Sequence, residues 1–267
     1  MQNINTPCLF IAHGSPMNAI GKTDFSIKLN EIGNSLKNKI NAIVCFSAHW
    51  RTEGLFISGA NSLKTIYDFS GFPNELSNIV YTPQGSPGLA KRLKAELKDF
   101  SPILDDNRGI DHGAWSILIH LFPLADIPVV LISQNLDFKL TQHYEIGKIL
   151  KPLRDENILF IGSGNIVHSF FSFSPDISAP TPDWAIFFDE KIKNALENKD
   201  HNTILRYRRL FGKSAKLAVP TEEHFIPLLY IIGLESESDQ IEFFYDKFQN
   251  SSMSMRSFIL RQLAQRN

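Results

Sequence analysis

The chain has 267 residues, a hydrophobic fraction of 43% and a formal net charge of -1. That length suits one large α/β domain or two small ones and can bury a sizeable core. The charge balance and the lack of a Lys/Arg-dense block argue against a nucleic-acid surface, and no apolar run approaches the roughly 20 residues of a membrane span.

The first apolar run, Cys8-Leu9-Phe10-Ile11-Ala12, leads into His13-Gly14-Ser15-Pro16-Met17, where glycine and proline force a turn beside the histidine. The chain reaches this strand within a few residues, so no signal peptide is expected. A helix is predicted over residues 24–39, with Asp24 as N-cap and Ile27, Ile32 and Leu36 facing inward. Residues 41–49 are apolar without alternation, as in a strand covered on both faces, and this strand is expected to end at His49. In an open α/β sheet the last residues of such a strand face the ligand crevice.

Residues 54–58 read as a short strand, and residues 67–73 as an aromatic loop punctuated by glycine and proline. Ser86-Pro87 opens a helix carrying Leu89, Leu93 and Leu97 at i+4 spacing. A polar loop ends in Asp111-His112-Gly113, ahead of an apolar helix over residues 114–122 and a buried strand over 127–133. A helix over 141–153 and a strand over 158–163 follow, and a short glycine loop then delivers His168. This alternation predicts one α/β domain over residues 1–267, its central sheet largely parallel or mixed and flanked by helices on both faces.

Residues 172–182 read as a loop. In residues 221–234 Thr221 is a candidate cap, and Pro227 lies too deep for a first turn, which predicts a kink or a later helix start. Residues 241–245 and 253–260 are two candidate edge strands. Cys8 and Cys45 fall inside buried strands and read as core thiols of a reducing, cytoplasmic compartment, with a pair on adjacent strands as the alternative.

Of eight histidines, His120, His143 and His201 sit in helix or surface segments without polar company and read as structural. His13, His49, His112, His168 and His224 each stand beside a turn-forming glycine, a strand end or a helix start. Clustered neutral imidazoles commonly hold a divalent transition metal. Three ligands with open positions make a catalytic site, and a saturated set of four a structural one. Five imidazoles exceed that need, so some should act on substrate. No HExxH, CxxC or EF-hand pattern is present, so such ligands would meet only in the fold. Gly162-Ser163-Gly164-Asn165 reads as a tight turn presenting His168 rather than a phosphate loop, and no GxSxG elbow supports a serine nucleophile at Ser15.

HGSPM at 13–17, SAHW at 47–50, YDFSGFP at 67–73, DHGAW at 111–115, GSGNIVHS at 162–169 and EEHFIPLLY at 222–230 together resemble the 4,5-DOPA extradiol dioxygenase family, a branch of the class III, LigB-type ring-cleaving enzymes. The motifs span nearly the whole chain in order. The resemblance implies a single α/β domain, one non-haem divalent metal, and cleavage of a small catechol by O2 beside a hydroxylated carbon. It matches His13 and His49 to metal ligands, His168 to the acid/base that some members place close enough for a metal contact, and His112 to a substrate-facing histidine. The third ligand falls to His224 in Glu222-Glu223-His224-Phe225, with Glu223 as the alternative ligand or as the partner of His224. Iron(II) would serve turnover, and zinc is expected in protein purified in air. Two other readings of the same cleft are a zinc hydrolase and a non-catalytic binding relative.

Overall fold

A computed structural model describes residues 5–262. In chain order it contains β1 (Cys8–Ala12), α1 (Asp24–Leu36), β2 (Ala42–Thr52), β3 (Phe56–Ser58), α2 (Asn74–Ser77), α3 (Pro87–Glu96), β4 (Ile103–Asp105), α4 (His112–Leu121), β5 (Val129–Asn135), α5 (Leu140–Leu150) and β6 (Ile158–Gly164). Then come α6 (Asp183–Glu197), α7 (His201–Leu205), α8 (Tyr207–Ala218), α9 (Ile226–Gly233), β7 (Asp239–Tyr245), β8 (Phe248–Gln249), β9 (Met253–Ser254) and β10 (Ser257–Gln262).

Eight strands form one mixed sheet in the order β4-β3-β5-β2-β6-β1-β10-β7. The four central strands, β5, β2, β6 and β1, are parallel to one another. Antiparallel pairings join β3 to β5, β10 to β1 and β7 to β10. Every residue of β1, β5 and β6 is buried, which is why these strands read as continuous apolar runs.

Alternate residues of one strand feed two different cores. Cys8, Phe10, Val44, Phe46 and Phe160 pack under α3, α5, α6 and α9. Leu9, Ile11, Ile43, Cys45 and Ile161 pack under α1 and α4. The sheet is thus covered on both faces, as the sequence predicts. Cys8 and Cys45 point to opposite faces and are separated by β6, so both are free thiols and the alternative pairing is ruled out. Among the described residues no helix is long and apolar enough to cross a membrane.

Several local expectations need correction. Helix α1 is capped by Thr23, not Asp24: Thr23 Oγ1 accepts from the Ser26 amide and Ser26 Oγ from the Thr23 amide. Its inner face is Phe25, Leu29 and Leu36, while Ile27 is 41% exposed. Strand β2 does not stop at His49 but runs to Thr52, across a register irregularity against β5 between Phe46 and Arg51. His49, inside that irregular stretch, reaches the crevice without the strand ending. Helix α4 begins at His112 rather than Ala114, with Asp111 as its cap.

Helix α9 starts late, at Ile226, and Pro227 then falls within its first turn, where proline is tolerated. All eight of its residues are buried, so it has no polar face. Of the two candidate edge strands only β7 lies at an edge. Strand β10 is inserted between β1 and β7, and residues 253–254 pair separately with β8.

Candidate active site

The carboxyl ends of β1, β2 and β6 open on one crevice. His13 is one residue past β1, and its amide donates to the carbonyl of Gly164 at the end of β6 (3.2 Å). His49 lies in β2 within the register irregularity. His168 follows β6, its amide donating to the Ala218 carbonyl (3.0 Å). His224 sits in the turn before α9, its carbonyl accepting from the Asn165 amide (2.8 Å). A Cβ on Gly164 would stand 2.2 Å from that carbonyl, so only glycine lets the turn lie this close.

All five histidines singled out in the sequence meet here. The His13 ring centre lies 5.0 Å from that of His49, 5.2 Å from His224 and 5.8 Å from His112. His49 and His112 are 3.9 Å apart, and His168 stacks on His224 at 3.6 Å with the rings nearly parallel (4°). His120, His143 and His201 stay outside this group, but not without polar company. His120 bonds the Asn18 carbonyl, His143 the Tyr230 hydroxyl, and His201 the Glu235 carboxylate.

The donor atoms of His13, His49 and His224 lie within 4.8 Å of one another. Ser163 Oγ gives its hydrogen to the Gly113 carbonyl, so it accepts from Nδ1–H of His13 at 3.0 Å. This leaves the Nε2 lone pair of His13 facing Nε2 of His49 at 3.1 Å, a contact that requires a shared proton or a cation. Two ligand atoms ~2.1 Å from one ion stand ~3.0 Å apart at a right angle and ~3.4 Å apart at the tetrahedral angle, so the pair fits a metal edge. Nδ1 of His224 is buried without a hydrogen bond, 3.4 Å from Glu223 Oε1. The Glu223 carboxylate itself accepts from the Thr221 hydroxyl at 2.7 Å.

Burial holds the imidazoles neutral. It lowers His49 and His168 to about 4, and takes His13 and His224 well below the usual range, with the neighbouring imidazoles adding to the effect in each case. Neutral nitrogen donors are what a divalent metal needs. The donor set therefore fits a non-haem metal.

Sequence reasoning missed Asp68 and Ser163 as site residues. Asp68 Oδ1 accepts from the His112 amide at 2.9 Å, and Oδ2 lies 3.0 Å from His112 Nδ1 and 3.5 Å from His49 Nδ1. Burial alone would raise its carboxyl, yet the contacts with His112 outweigh that and bring it down to about 2. Asp68 stands inside the YDFSGFP loop, so the only available signal was a carboxylate in an otherwise aromatic motif. A cavity of about 520 Å³ opens over the histidines, flanked by Phe69, Phe72, Phe170 and Phe173. The second pair comes from the loop after β6, which the sequence marks only as a loop.

Residues 7–260 match the family described as the catalytic LigB subunit of aromatic ring-opening dioxygenase. The chain belongs to the LigB family. It is an extradiol aromatic ring-opening dioxygenase of this type. Its LigB relatives include the 4,5-DOPA dioxygenase extradiol of Escherichia coli K12, 36% identical over 96% of this chain and 95% of that one. The protein of the same description from Beta vulgaris is 37% identical over 93% and 94% of the two chains. A crystal structure of an uncharacterized E. coli K12 protein superposes with a TM-score of 0.82 at 33% identity, covering 95% of this LigB chain and 99% of the other.

Proposed function

We propose that this LigB enzyme opens the ring of a small, DOPA-like catechol with O2, cutting beside one hydroxylated carbon, with residues 1–267 acting as one domain. The observation that carries the reading is the approach of His13 Nε2 to His49 Nε2 at 3.1 Å, with His224 alongside, below a cavity flanked by phenylalanines. His13, His49 and His224 would hold one divalent metal, with Glu223 as the partner of His224 or its replacement. Bound iron(II) would acidify the catechol hydroxyls and provide the electronic link to O2, whereas zinc fits the same donors without redox chemistry.

The protein's own groups do the rest. His168, half-buried and neutral, is the base that takes a proton from a catechol hydroxyl and returns it later, and it stacks on His224 beside the three-histidine group. His112 has Nδ1 turned to Asp68, which leaves Nε2 for a catechol oxygen. The phenylalanine side chains hold the ring and exclude water.

The test is to strip the protein, load it anaerobically with iron(II) or zinc, and follow oxygen uptake with DOPA. The iron form should consume oxygen and yield a yellow muconic-semialdehyde-type product, and the zinc form should not. An iron form that leaves catechols intact, beside a zinc form that hydrolyses an ester, amide or phosphoryl group, would replace this reading with a zinc hydrolase.

A further inference from the structure

We infer that the cavity selects catechols whose side arm carries an ammonium group or no charge, and disfavours those whose arm carries a carboxylate. This rests on the ring-cleaving reading and adds to it the charge of the substrate's arm. Beside the histidines the cavity wall is largely apolar, with Phe69 and Phe72 from one loop and Phe170 and Phe173 from another. Glu223 is the one carboxylate on this wall among the described residues. Its Oε1 accepts from Thr221, but its Oε2 is buried without a hydrogen-bond partner. No lysine or arginine among the described residues lines the cavity. Arg51, 4.0 Å from Oε2, lines the neighbouring cavity instead.

A catechol seated by its two hydroxyls at the histidines presents its arm to this wall. An ammonium there gains the attraction of the Glu223 carboxylate and of the aromatic faces. An uncharged arm keeps its apolar contacts. A carboxylate would be desolvated beside Glu223 with no cation to pair it. DOPA carries both groups, so the two effects oppose each other in it.

Four catechols separate these contributions: dopamine, 4-ethylcatechol, DOPA and 3-(3,4-dihydroxyphenyl)propionate. Equilibrium binding to the zinc-loaded enzyme reads selection without turnover, and kcat/KM by oxygen uptake on the iron(II) form reads cleavage. Dopamine and 4-ethylcatechol should bind at least about tenfold tighter than the propionate, with DOPA between them. Glu223→Gln should abolish the advantage of dopamine over 4-ethylcatechol. If that variant does not fold, the wild-type order decides alone.

Binding of the propionate or of DOPA as tight as that of dopamine overturns the inference. The expected order without oxygen uptake leaves the selection standing and removes the ring-cleaving reading. Equal binding and equal cleavage of all four do the reverse, and binding of none removes both.

Discussion

The roles proposed for the histidines of this site follow from what each ring touches. His13 has Nδ1 engaged by Ser163 and Nε2 turned to His49, a geometry suited to a ligand. His168 stacks on His224. His168→Ala should therefore keep most of the metal affinity and lose about 10²–10⁴ in turnover, the range for removing a general acid/base. His13→Ala should lose metal and turnover together. Equal loss of metal in the two variants, read by zinc titration, would make His168 a ligand and move the base to His112. Ser163 acts only through His13. Ser163→Ala frees Nδ1 and should weaken zinc binding about 10–100-fold with little change in fold, checked by the same titration and by circular dichroism.

At the scale of elements, the start of α4 ties the site to the sheet. The buried Asp111 carboxylate caps α4 through the Ala114 amide, accepts from Ser47 Oγ at 2.5 Å and pairs with Arg108 at 2.6 Å. Arg108 in turn lies over the Trp50 ring at 5.0 Å. Asp111→Ala would strip a partly buried arginine of its partner and remove the cap, at about 3–5 kcal/mol in urea unfolding. Gly113, two residues on, has no room for a side chain. A Cβ there would stand 2.6 Å from Ser47 Oγ and 2.7 Å from His49 Cδ2. Gly113→Ala should displace His49 and so lower zinc affinity more than it lowers the unfolding midpoint. A variant that bound zinc normally would mean that the ring and the helix can part without harm.

For the molecule as a whole, buried neutral histidines make the metal-free protein sensitive to acid. Burial holds His49, His143 and His168 at about 4 and puts His13 and His224 well below their usual range. The unfolded chain takes up protons near pH 6.5 and the folded chain does not. Stability is therefore fully present above about pH 6.5 and falls as the pH drops toward 4, by up to about 3 kcal/mol for each group held at 4. Urea unfolding of apoprotein at pH 7.5, 6 and 5 should show a steady loss, and His143→Gln should flatten its share without touching the site. Zinc at about 100 times its Kd should add about 2.7 kcal/mol at pH 7.5 and less at pH 5, since metal and protons compete for the same nitrogens. An apoprotein equally stable at pH 5 and 7.5 would show that these imidazoles are not held neutral.

The central strands were legible in the amino-acid order because burial on both faces leaves an apolar run, as in β1 and in the first four residues of β5 and of β6. His13 and His168 were legible because they follow strand ends, and His112 and His224 because they stand at helix starts, places where an open α/β sheet gathers side chains, whereas His49 was picked from an expected strand end that β2 runs past. These are local facts, carried by neighbouring residues. The inner face of α1, the place of β10 and the length of β2 were not local. Ile27 has the right spacing for the core, but Phe25 and Leu29 meet α4 and take that face. Strand β10 enters the sheet beside β1, some 250 residues away in the chain, through the pairing of Cys8 with Leu260. Asp68 reaches His112 across 44 positions, and Ser163 reaches His13 across 150. No spacing rule links such pairs. Chain order determines which segments are strands and where their histidines stand, but partners across the crevice depend on the order of strands in the sheet, which only long-range packing decides.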